Sequence, residues 1–166
     1  MQEEMGYQNV QAVHELAKKG RLAYQRGDNL GIYTLADLLL TYMAGQTYDW
    51  DRERNQPPEK LRKANVPCRY YALGWRSFAY DYAMVLLTPE QAMSEDADKI
   101  MRRRELNARK QVSDAFVWLQ GRGVIKKLEP ASLGKNAGFL LLLGDEEENR
   151  AVERWARQCL GLPMSR

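Results

Sequence analysis

The chain has 166 residues, 45% of them hydrophobic, with four Trp, nine Tyr and three Phe, which suits one domain with a real core and excludes a disordered tail. Its formal charge is only +3, yet ten cations against three acids between Lys99 and Lys135 give that segment +7 and leave the remainder net acidic. A local excess of that size points to a polyanionic partner.

Two cysteines are too few for a disulfide framework, and no apolar run reaches the length of a membrane span. The acidic MQEEMGYQ segment lacks the pattern of a secretory signal, so the expectation is a cytoplasmic chain without membrane contact. Val10, Val13, Leu16, Ala17 and Tyr24 form a helical stripe over residues 7–26, weakened at Gly20. Asp28 and Asn29 offer a stop and a new cap, which predicts an N-terminal helical arm over residues 1–29. Thr34, with Asp37 three residues on, is placed to cap a core-facing helix carrying Leu35, Leu38, Leu39, Tyr42 and Met43. That helix is expected to run towards Tyr48. Residues 49–67 read as a polar loop around Pro57-Pro58, with one helical turn over Glu59–Ala64. Tyr70 and Tyr71 read as packing residues. A second helix follows Gly74 and buries Trp75, Phe78, Ala79 and Tyr82. Thr88-Pro89-Glu90-Gln91 has the composition of a helix start.

The third helix carries the charge. Ala108, Val112, Ala115, Phe116 and Leu119 share one side of a 3.6-residue repeat, which places Arg103, Asn107, Lys110 and Asp114 opposite them. Arg102, Arg104, Arg109 and Gln111 lie on the flanks. Gly121-Arg122-Gly123 is suited to end the helix. Val124–Leu128 and Phe139–Leu143 read as two strands of a hairpin, the second buried on both faces, joined by a basic loop containing Lys135 and Asn136. A last amphipathic helix starts near Asp145, with Val152, Trp155, Ala156 and Cys159 on one side.

The order helix, helix, basic helix, strand, loop, strand resembles the winged helix-turn-helix superfamily over residues 30–144. The phrase Trp118-Leu119-Gln120-Gly121-Arg122-Gly123-Val124-Ile125 resembles its junction between recognition helix and first wing strand. Tyr42-Met43-Ala44, Tyr48-Asp49 and Gly74-Trp75-Arg76-Ser77-Phe78-Ala79 are similar to landmarks of small DNA-binding proteins of actinobacterial plasmids and phages. The resemblance implies a mainly α chain with a small β-hairpin, an α+β winged helix-turn-helix with additional N-terminal (1–29) and C-terminal (145–166) helices. It also implies that the third helix enters the major groove of double-stranded DNA while the wing touches the backbone or minor groove. One departure stands out: Met84 to Arg103 separates the second and third helices, where the usual turn is three or four residues. That segment either carries its own helix or lengthens the front of the third.

The side chains suit such a role. Arg103 and Arg104 have the donors to read guanine, and Asn107 can read adenine. Arg102, Arg109, Gln111 and Asn136 join them as candidate DNA contacts, and Lys110, Lys126, Lys127 and Lys135 suit phosphates, which fix register but carry no sequence. The expected role is transcriptional regulation. Replication or partition of a plasmid or phage, and a winged helix that binds protein instead of DNA, remain as alternatives. Dimerisation would use the N-terminal arm or the C-terminal helix, where Val152 and Trp155 either pack across a two-fold axis or cap their own core.

Signals for catalysis are poor. His14 is the one histidine, and with two distant cysteines it offers no zinc-ligand spacing. Leu133-Gly134-Lys135-Asn136 lacks the upstream glycine and following hydroxyl of a P-loop. Asp49 and Asp51 make a weak cation site, and capping of a helix end suits them better. The expectation is therefore a protein without enzymatic activity, metal or cofactor.

Overall fold

The computed structural model describes residues 5–164. Its elements are α1 (Tyr7–Lys18), β1 (Ala23–Arg26), β2 (Asn29–Ile32), α2 (Thr34–Gly45), α3 (Glu59–Ala64), β3 (Tyr70–Tyr71), α4 (Gly74–Asp81), α5 (Pro89–Ala92), α6 (Ala97–Gly121), β4 (Ile125–Glu129), β5 (Gly138–Leu141) and α7 (Glu146–Leu160). The fold is mixed α+β: helices around one two-stranded and one three-stranded antiparallel sheet.

The first helical stripe is shorter than expected. Helix α1 stops at Lys18, and residues 23–32 form a hairpin in which Tyr24 lies on a strand. The turn is Gly27-Asp28, with φ +62° at Gly27, the left-handed geometry that a two-residue hairpin turn starting on glycine requires. Thr34 does not cap α2. Tyr33 occupies the N-cap position and Thr34 is the first helical residue. The buried stripe of α2 is Ala36, Leu39, Leu40, Met43 and Ala44, turned from the expected one so that Leu38 is exposed. The turn arises because α2 packs between α1 and α6 and must bury two flanks.

Helix α1 packs into the core of the chain. Ala12, Val13 and Leu16 of α1 lie in the same core as Leu39, Leu40, Leu119 and Leu141. Asp49 joins α1 to the loop after α2. Its carboxylate accepts from the backbone N–H groups of Gln8 (3.2 Å) and Asn9 (2.8 Å), satisfying two orphan donors of the first turn. This is the capping role the sequence suggested.

Strand β5 explains the run Phe139–Leu143. It is the centre of the order β3-β5-β4, and successive side chains leave on opposite faces. Phe139 and Leu141 enter the core formed with α2 and α6. Leu140 enters a second cluster with Trp50, Leu61, Cys68, Val152 and Ala156. A strand buried on both faces has no polar register to keep. Helix α7 covers the second cluster, held at its start by Asp145, whose Oδ1 accepts from the Glu148 N–H at 2.8 Å. Val152 is fully buried there, and the Trp155 indole donates to the Val66 carbonyl at 2.9 Å. Both side chains are used inside the chain.

A buried polar network ties the two clusters together. Arg69, fully buried and at φ +54°, donates through Nε to Asn9 Oδ1 (2.8 Å) and through Nη1 to Glu148 Oε2 (2.9 Å). The other oxygen of Glu148 accepts from Arg52 Nε at 2.8 Å. Asn9 donates onward to the Tyr48 carbonyl at 2.9 Å. One network thus pins α1, the loop after α2, the start of β3 and α7.

Candidate nucleic-acid interface

Helix α6 spans 25 residues because nothing inside it breaks the repeat and both ends carry stop signals. Asp98 sits in the first turn, where an acid suits the helix dipole, and Gly123 at φ +71° turns the chain out towards β4. Ala108, Val112, Ala115, Phe116 and Leu119 are its buried residues, the same five that the periodicity selects. Phe116 stacks on Phe139 at 4.7 Å between centroids, which fixes the rotation of α6 against the sheet.

With that rotation fixed, Arg103, Asn107 and Lys110 are exposed on the opposite side. Leu106, Asp114 and Val117 are exposed there as well. Arg102, Arg109 and Gln111 are exposed on the flanks, while Arg104 is half-buried against α5, its Nη2 reaching Gln91 Oε1 at 3.4 Å. Residues 82–96, between α4 and α6, contain α5 with its capping box of Thr88 and Gln91. The long connection therefore carries its own short helix and also lengthens the front of α6.

The hairpin sorts its lysines. Lys126 pairs with Leu140 and faces α7, where its Nζ contacts both Glu153 oxygens at 3.0 Å. Lys126 thereby ties β4 to α7 on the strand face opposite Lys127, since adjacent strand residues point to opposite faces. Lys127 stays on the α6 side, its Nζ lying 5.7 Å from the Phe139 ring centroid. At the loop base, Glu129 accepts from the Tyr70 hydroxyl (2.5 Å) and from Lys135 Nζ (2.9 Å). These two partners hold the Glu129 carboxyl below its ordinary range. Asn136 is not free either, donating to the Ala72 carbonyl at 3.4 Å beside the start of α4. Arg122 also closes structure: its Nε and Nη2 donate to the carbonyls of Arg21 (3.1 Å) and Gly20 (3.0 Å).

Helix α6 thus sets Arg103, Asn107 and Lys110 in one exposed row, with Arg102 and Arg109 on one flank and Gln111 on the other, whereas Arg104, Lys126 and Asn136 make tertiary contacts. Arg76 was missed by sequence reasoning. It opens α4 and lines a cleft shared with Arg102 and Arg109 of α6. Its signal lay within Gly74-Trp75-Arg76, where the apolar stripe drew attention to Trp75 alone. Among the described residues, no group of three His, Cys, Asp or Glu is placed to hold a metal, and no helix is long and apolar enough to cross a membrane. Both cysteines are free thiols. Compared with known proteins, the chain matches no family model, no curated protein and no solved structure.

Proposed function

We propose that this chain binds duplex DNA in the manner of a winged helix-turn-helix protein, with α6 lying in the major groove. The observation that carries the reading is the outer row of α6. Arg103, Asn107 and Lys110 are exposed, on one side, directly opposite a fully packed stripe. A helix of that width fits the major groove, where amide and guanidinium groups can distinguish base pairs. The order α2, α4, α6, β4, loop, β5 supports the reading, with β3 adding a third strand beside β5. Lys127 and Lys135 on the hairpin then serve adjacent phosphates, Lys135 by exchanging Glu129 for DNA. Transcriptional regulation is the proposed role. Footprinting separates it from replication or partition: a promoter palindrome favours regulation, and tandem repeats at an origin favour the alternative.

Fluorescence anisotropy of a labelled random duplex in rising salt tests the reading. Phosphate contacts from Lys110, Lys127 and Lys135 alone contribute about −2.7 to the slope, at roughly −0.9 in log affinity per log salt for each. Affinity that ignores salt, or no binding at all, contradicts it. A protein-interaction reading is favoured by Leu106 and Val117, each about two-thirds exposed on the same helix. Under that reading, reversing the charges of Arg103 and Lys110 together leaves function intact.

A further inference from the structure

Arg102, Glu105, Leu106 and Arg109 recur on α6 at helical spacing and form a stripe that faces α4. Trp75 and Arg76 meet them across a single open cleft. Three of these six side chains carry guanidinium groups. The Arg76 guanidinium lies 5.5 Å from the Trp75 ring centroid, an arrangement that preorganises it. Glu105, the one acid, already accepts from the Tyr80 hydroxyl at 2.9 Å. Among the described residues, none of the three arginines has a carboxylate partner.

Three guanidinium groups against the one carboxylate of Glu105 leave the cleft with an excess of positive charge, which an anion entering from outside offsets. Guanidinium forks match the oxygens of a phosphate. Trp75 gives the cleft an apolar wall. We propose that this cleft is a phosphate seat formed by Arg76, Arg102 and Arg109, and that its occupant is a backbone phosphodiester of the duplex beside α6. This rests on the duplex reading of the preceding subsection. A phosphodiester fits because Arg102 adjoins Arg103 on the helix, so a strand running past the outer row of α6 passes the cleft as well. Such a seat fixes how α6 sits along the groove and carries no sequence preference.

The test compares the wild-type chain with R76Q/R102Q/R109Q and with R76K in duplex binding across salt. All three arginines are exposed, so folding is expected to persist, and circular dichroism checks it. The triple variant is expected to bind every sequence more weakly and to lose about 3 from the log–log salt slope, roughly 1 per contact, while R76K keeps the wild-type slope. A triple variant with the wild-type slope overturns the seat and leaves the duplex reading standing. If the wild-type chain binds no duplex, that reading fails, and titration with inorganic phosphate decides the seat alone. Saturating shifts of the Arg76, Arg102 and Arg109 side-chain Nε–H signals in NMR then support a seat for a free anion, and unshifted signals overturn it.

Discussion

Arg69 carries a charge that water never reaches, and Glu148 is the carboxylate that neutralises it. Removing one partner of a buried pair leaves the other uncompensated. Glu148→Ala is therefore expected to destabilise the fold by about 3–5 kcal/mol, read from urea unfolding, whereas exposed Lys110→Ala should stay within about 0.5 kcal/mol. Cys68 makes a second prediction. Burial pushes its thiol up from 9.0 to about 12. Above the unfolded value the unfolded chain binds fewer protons than the folded one, so this contribution to stability falls as pH rises from about 9 towards 12. Alkylation of the native chain followed by mass spectrometry should label the half-buried Cys159 well before Cys68. Neither residue's environment was legible in the sequence. The partners of Arg69 lie 60 and 79 positions away, at Asn9 and Glu148, and no local spacing announces them. Asp49 was legible as a cap, but its helix was not, because that helix precedes it by 40 positions.

Periodicity reads an element well when its apolar residues keep to one stripe and the opposite side stays in solvent. Helix α6 does so although α2, α4, α5 and β4 all touch it, and its buried stripe and outer row both follow from the spacing of its apolar residues. The hairpin β4–β5 was legible for a related reason, since a continuous apolar run fits a strand buried on both faces. Helix α2 packs on two neighbours, and its stripe came out turned. The β1–β2 hairpin was hidden because Tyr24 fell in phase with the helix before it, although Gly20 and Gly27 mark its turns. Strand β3 has two residues, too few to show an alternation. Lys126-Lys127 looked like one basic feature, but the strand's period of two separates them. Lys126→Ala should leave the salt slope of duplex binding unchanged and lower the thermal midpoint slightly, because Glu153 loses its β4 partner but keeps Arg157. Asn107→Ala is expected to relax discrimination at one base pair by about 1–3 kcal/mol, visible in a selection from a random duplex library.

Across the whole molecule, packing and charge divide the surface. Helices α1 and α7 close opposite sides of the sheet and the helical core, and the side chains that had suggested dimer contacts on α7 are satisfied within the chain. Residues 99–135 hold the positive excess, but their members differ in use: Arg122 and Lys126 hold structure, most of the other exposed cations lie on α6, and Lys127 and Lys135 are exposed on the hairpin. Duplex binding through that helix is the central claim. Its most direct measurement is the affinity of R103E/K110E for a random duplex at low salt, beside wild type and a K126E control with half the charge change. The account predicts a loss of at least about 100-fold for R103E/K110E, since two attractive contacts become repulsive, and a far smaller loss for K126E. Equal affinities for wild type and R103E/K110E would contradict it.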